Sequence, residues 1–99
     1  MALLDLDTPK HGWTFLTNHA HVLIAISRNG DLRQRDISQV VGITQGAVQR
    51  ILDDLEEGGY IRRQRVGRRN RYEIVSGVAL RHPLEENHTI DELLATLED

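Results

Sequence analysis

Between Asn18 and Arg28 the chain reads Asn-His-Ala-His-Val-Leu-Ile-Ala-Ile-Ser-Arg, and Ala20, Leu23, Ile24 and Ser27 recur at the spacing of one helical face, with Val22 and Ile26 widening it. Thr17 or Asn18 supplies an N-cap, and Asn29-Gly30 a stop. After Leu32, which suits a short extended segment, a second helix is predicted over about Gln34–Val41. It turns Ile37, Val40 and Val41 to the core and is terminated by a left-handed Gly42. Thr44 then caps a third helix running to about Glu57, in which Val48, Ile51, Leu52 and Leu55 fall at i, i+3, i+4 and i+7. The opposite stripe of that helix is polar and long-armed: Gln45, Gln49, Arg50 and Asp53, interrupted by Gly46.

Gly58-Gly59 closes the third helix, and the period changes. Residues Tyr60 to Val66, a turn at Gly67-Arg68-Arg69-Asn70, and residues Arg71 to Ile74 form a predicted hairpin in which Tyr72 and Ile74 alternate with Arg71 and Glu73. Pro83 marks a loop. Thr89-Ile90-Asp91-Glu92 is a capping box that opens a last short helix with Ile90, Leu93, Leu94 and Leu97 on one face. At about ten residues such a helix needs a surface to dock on. The pattern divides the chain into an extended N-terminal arm (1–13), a helical domain with a hairpin (14–75), and a loop with a short C-terminal helix (76–99). The fold class is mainly α with a small antiparallel β-hairpin, α+β.

Composition sharpens this outline. Of the 99 residues, 29 are Leu, Ile, Val or Phe, enough for a folded core. The core is small, because a chain of this length buries only about 60–65% of its unfolded surface, and pairing with a second copy is an easy route to stability. There is no Cys, which removes disulfides, thiolate metal sites and Cys nucleophiles. The first residues lack a basic leader, and nowhere do eighteen apolar residues run together, so a cytoplasmic protein with no membrane partner is expected.

The net charge of −3 would argue against nucleic acid, but its distribution reverses the inference. Residues 60–74 carry six Arg and one Glu, a local charge of +5, while the flanking stretches are acidic. A basic patch on an acidic body attracts phosphate locally and orients the approach.

Two constellations carry chemistry. The first is the helix, the tight Gly42-Ile43-Thr44 turn and the second helix. A helix lowered into the major groove reads base edges from its N-terminal end, where Gln45, Gln49 and Arg50 stand. Gln can pair with adenine N6 and N7, and Arg with guanine O6 and N7. Thr44 and the free N–H groups of the first turn suit a phosphate. The plainer reading is an ordinary solvated helix face, with Arg50 paired to Asp53 or Asp54. Gly46, at the second helical position, costs about 1 kcal/mol against Ala; either it lets a backbone approach closely there or it is neutral drift. The second constellation is the hairpin, with Arg62, Arg63, Arg65, Arg68, Arg69 and Arg71 and with Asn70 near its tip. Edge protection of a ribbon needs one or two charges and usually favours Lys. Arg is the residue for bidentate phosphate contacts and for narrow minor grooves.

Other chemistry finds no support. His19 and His21 point to different sides of a helix, and His82 and His88, with Glu85 and Glu86 between them, match no established zinc spacing. No nucleophile elbow, phosphate loop or His-Glu-x-x-His motif is present, so no enzyme, metal or cofactor is expected.

The runs from Asp36 to Thr44, from Ala47 to Ile61 and from Val66 to Tyr72 resemble prokaryotic winged helix-turn-helix transcriptional regulators of the MarR and ArsR-like kind. The likeness covers about Thr14 to Val75. It implies a tri-helical core plus a two-stranded wing, with Thr44, Gln45, Gln49 and Arg50 on double-stranded DNA in the major groove. It likewise puts Arg68, Arg69 and Asn70 on the minor groove or backbone, flanked by the other wing arginines. The expected protein is a homodimeric, sequence-specific DNA-binding regulator. Trp13, Ile90, Leu93, Leu94 and Leu97 are its expected dimer surface, and no small-molecule effector is assigned. The competing expectations are a winged-helix module that docks on an acidic protein partner and, third, an RNA-binding winged helix.

Overall fold

The computed structural model describes residues 12–98. The order of elements is α1 (Asn18–Arg28), α2 (Gln34–Val41), α3 (Gln45–Glu57), β1 (Ile61–Val66), β2 (Arg69–Ile74) and α4 (Ile90–Thr96). Of the arm expected over residues 1–13, only Gly12 and Trp13 lie within the described residues. Three helices and an antiparallel two-stranded wing make the winged helix-turn-helix fold.

The helix ends follow from local chemistry. Thr17 Oγ1 accepts from the Ala20 N–H, and Thr44 Oγ1 from the Ala47 N–H, each satisfying a donor that the first helical turn leaves without an acceptor. Gly42 takes φ +87°, the left-handed conformation that turns the chain from α2 into α3. At the other end of α3 the Tyr60 N–H donates to Leu55 O and the Gly59 N–H to Glu56 O, so the chain leaves the helix in a Schellman motif and enters the wing directly.

Val48, Ile51, Leu52 and Leu55 form the buried stripe of α3, as their spacing predicts. They pack with Val22, Leu23 and Ile26 of α1, with Ile37 of α2, and with Tyr60, Ile61, Tyr72 and Ile90. Each such side chain stabilises by about 1.5–3 kcal/mol when fully buried. Two faces differ from expectation. In α1 the buried residues are Val22, Leu23, Ala25 and Ile26, whereas Ala20 and Ile24 are half-buried and Ser27 is exposed. A helix apolar over most of its girth gives periodicity no way to fix the phase, and here α2, α3, β2 and α4 all contact it. In α2 only Ile37 is fully buried, and Val40 is 60% exposed. The helix is two turns long, and Val41 rather than Val40 packs against the core.

The wing pairs Ile61 with Ile74, Arg63 with Tyr72 and Val66 with Arg69. The turn is therefore two residues, Gly67-Arg68, shorter than the four expected. Gly67 at φ +65° followed by a residue with negative φ is the type II′ pattern, which matches the twist of the flanking strands. Arg69 and Asn70 consequently belong to β2. A further strand-like contact anchors the wing: the Tyr72 N–H donates to Gly30 O at 3.0 Å. A Cβ on Gly30 would lie 2.5 Å from Tyr72 O, so this close passage admits only glycine.

Beyond the wing, Tyr60 Oη donates to Ala79 O at 2.6 Å, and Ala79 bridges Thr89 antiparallel. The capping box forms: Glu92 Oε1 accepts from the Thr89 N–H at 2.7 Å, and the Glu92 N–H donates to Thr89 Oγ1 at 3.3 Å. No helix among the described residues is long and apolar enough to cross a membrane.

Candidate nucleic-acid interface

The exposed stripe of α3 begins at Thr44, whose hydroxyl is taken by the Ala47 N–H, and continues through Gln45 and Gly46, both exposed. The N–H groups of Gln45 and Gly46 have no acceptor within the helix, which leaves partial positive charge at this end. No backbone approaches Gly46 among the described residues: a Cβ there would meet only Thr44 Oγ1, at 3.9 Å. The close approach expected for it is therefore not made within the chain. Arg50 is exposed and has no hydrogen bond or ion pair among the described residues. The acidic partners that a solvated-face reading offers it are engaged elsewhere. Asp54 Oδ2 lies 2.9 Å from His19 Nε2, and Asp53 Oδ1 lies 3.1 Å from a guanidinium nitrogen of Arg63.

Gln49 is held on both sides. Its Oε1 accepts from Gln34 Nε2 at 2.6 Å and its Nε2 donates to Asp53 Oδ1 at 3.0 Å. Gln34 and Asp53 thus hold Gln49 from either side, and the sequence offered no signal for Gln34: it stands fifteen residues away at the start of a different helix.

The six arginines of the wing separate into different environments. Arg63 is turned inward, its side chain 20% exposed, bridging Asp53 at 3.1 Å and Glu56 at 3.3 Å. It packs over the Tyr72 ring at 5.9 Å, and its buried Nε lacks a partner. It is a clamp between β1 and α3, and its charge is directed into the protein. Arg62 faces Glu73 across the strands at 3.8 Å. Arg65 Nε donates to Gly67 O at 3.3 Å, which braces the turn. Arg69 donates to the backbone carbonyl of Asp31, and Arg71 Nε lies 3.4 Å from the Asp31 carboxylate. Asn70 is half-buried opposite Arg65. Arg68 stands at the tip, exposed, with no partner among the described residues. Asp31, in the turn after α1, is the second anchor missed by sequence reasoning. Exposed ion pairs such as those of Arg62 and Arg71 are worth about 0–1 kcal/mol each, so these side chains can exchange a carboxylate for a phosphate at little cost.

The residues expected at a dimer surface also divide. Ile90 is 3% exposed inside the chain's own core, and Leu93 and Leu94 are half-buried against that core. Leu97 is half-buried. Trp13 is 67% exposed and meets Phe15, 91% exposed, edge to face at 5.0 Å. Phe15 borders an open groove of about 960 Å³ that Leu16, Leu23, Leu80 and Leu93 also line. His82 and His88 have local roles: His82 Nδ1 accepts from the Leu84 N–H at 3.0 Å, and His88 Nδ1 lies 3.5 Å from Glu92.

Comparison with known proteins agrees with this architecture. A model of the MarR family matches residues 11–71. The uncharacterized protein MJ1254 of Methanocaldococcus jannaschii is 33% identical over 60 residues, which are 60% of this chain and 13% of that protein's length. Among solved structures, MepR, a transcription regulator of the Staphylococcus aureus multidrug efflux pump MepA, matches with a TM-score of 0.55 at 19% identity. The match covers 96% of this chain and 66% of that one. At that identity the likeness is one of fold.

Proposed function

The chain belongs to the MarR family of winged helix-turn-helix regulators, and we propose that it is a non-enzymatic, sequence-specific regulator that binds double-stranded DNA as a homodimer. One observation carries the reading. The stripe of α3 formed by Gln45, Gly46 and Arg50 is left without side-chain partners among the described residues. Arg68 is likewise free, at the tip of a wing clamped to the same helix through Arg63. In this reading the N-terminal half of α3 enters the major groove, with Thr44 and the first free N–H groups on a phosphate and with Gln49 and Arg50 on base edges. The wing supplies attraction through Arg68, then through Arg62, Arg65, Arg69 and Arg71 as they exchange internal acceptors for phosphates. Two such units act on half-sites about one helical turn apart. The exposed Trp13–Phe15 pair and the groove beside it are the surface we assign to the second copy, with Leu97 at the far end of α4.

The test separates the arginines by environment. Replacing Arg68 and Arg69 together with Ala is expected to flatten the slope of log K against log salt by about 1.8 per protomer. Arg63→Ala, which removes a charge already turned inward, is expected to leave the slope unchanged. A slope unaltered by the double replacement would take the wing out of the mechanism.

A further inference from the structure

The polar side chains around Gln49 form a directed relay. A glutamine amide has two ends of nearly equal shape and opposite chemistry, so a base-reading Gln that is free to turn offers donor and acceptor in either order. Here the order is dictated. Arg63 holds Asp53 at 3.1 Å, and the Asp53 carboxylate can only accept. The end of Gln49 that faces it, at 3.0 Å, must therefore be the NH₂. The other end is the oxygen, which Gln34 Nε2 meets at 2.6 Å. Turning the Gln49 amide over would set its oxygen against the Asp53 carboxylate, two acceptors with no proton between them.

Only part of the Gln49 hydrogen-bonding capacity is consumed. The amide nitrogen retains one N–H and the oxygen one lone pair, so a donor and an acceptor remain for a base edge, in one fixed order. The relay also joins three elements: the start of α2 through Gln34, the reading face of α3 through Gln49 and Asp53, and the wing through Arg63. Gln34 and Asp53 need touch no base to influence which base is preferred.

We propose that Gln34 and Asp53 are positioning residues that set base preference at the single position read by Gln49, with Arg63 fixing the polarity of the relay from the wing. This rests on the reading of α3 as the base-contacting helix, and the experiment distinguishes the two. Wild type, Gln34→Ala, Asp53→Asn and Gln49→Ala are each put through selection from a random duplex pool, alongside binding to one random duplex and thermal melting. Asp53→Asn gives the amide a neighbour that can donate or accept, so both orientations become available; Gln34→Ala leaves the order to Asp53 but removes the bond that holds the oxygen end in place, so the amide plane is free to swing. The expected result is loss of preference, roughly fivefold or more, at one base pair per half-site. That pair is the same for both variants and for Gln49→Ala, and the other positions are unchanged. Binding of Gln34→Ala to random duplex stays within about twofold of wild type, as a residue that acts only on orientation requires. Full retention of preference in both relay variants overturns the proposal while leaving the DNA reading intact. So does an even weakening at all positions, which marks a structural role. A wild type with no base preference overturns both.

Discussion

Gly30→Ala is the sharpest perturbation available, because the geometry isolates one cause. Gly30 is not among the residues with positive φ, so alanine meets no backbone penalty there. What it meets is Tyr72: the new Cβ would sit 2.5 Å from the Tyr72 carbonyl oxygen, where ordinary contact begins about an ångström further out. Either the α1–α2 turn or β2 must withdraw by that amount. Withdrawal breaks the Tyr72 N–H to Gly30 O bond, worth about 0.5–1.5 kcal/mol. It also disturbs the buried Tyr72 ring under Arg63, at an overpacking cost of about 1–3 kcal/mol. Reduced freedom of the unfolded chain returns about 0.4–1 kcal/mol. The net expectation is a loss of about 1–3 kcal/mol, a fall in Tm of roughly 5–20 °C for a chain of this size. Urea and thermal unfolding followed by circular dichroism measure it. DNA affinity under conditions where the variant is fully folded should also fall, because the wing is displaced relative to α3. A variant within about 0.5 kcal/mol of wild type, which is the usual range for neutral surface changes, would refute the close passage as the reason for glycine at this position.

Other predictions follow from the same geometry. Gly46→Ala adds a methyl group to open space on a helix, so it should raise stability by about 0.5–1 kcal/mol in the same unfolding assay. It should also weaken DNA binding, since the space it fills is where we place the nucleic acid; unchanged affinity would show that nothing approaches Gly46. The carboxyls of Asp91 and Glu92 lie below the ordinary carboxylate range, chiefly through the backbone N–H groups of Gly77 and Thr89 respectively. Their contribution is therefore present above about pH 4 and is lost as pH falls through the lowered values. The fall of Tm with acidification below about pH 4 should be shallower in an Asp91→Asn, Glu92→Gln variant, and an identical fall would remove these carboxyls from the docking of α4. Sedimentation at micromolar concentration should return the mass of two 11.3 kDa chains, with Trp13→Ser shifting it toward one. A single-chain mass for the wild type would remove the homodimer.

What the sequence made legible was local. Thr17, Thr44 and the Thr89–Glu92 box cap helices through contacts three residues long, and the α3 stripe follows from period alone. The phase of α1, the exposure of Val40 and the fate of Ile90 depend on which neighbours arrive. An apolar face announces that something must cover it, without saying whether the cover is the same chain. The wing was legible as a basic hairpin but not as six different arginines. Arg63 and Arg69 are separated from their acceptors by ten and 38 residues, and no spacing rule brings Asp31 to the wing. The candidate reading helix was recognisable from Gln45, Gln49 and Arg50, while the α2 residue that meets the Gln49 oxygen, Gln34, became visible only once α2 and α3 were packed.

The central claim is that α3 reads base sequence while the wing supplies attraction, in two copies related by symmetry. Selection of bound sequences from a random duplex pool at physiological salt tests it most directly. The account predicts an enriched motif with two inverted half-sites about one helical turn apart. Recovery of no enriched sequence from a protein that binds every duplex equally would contradict it.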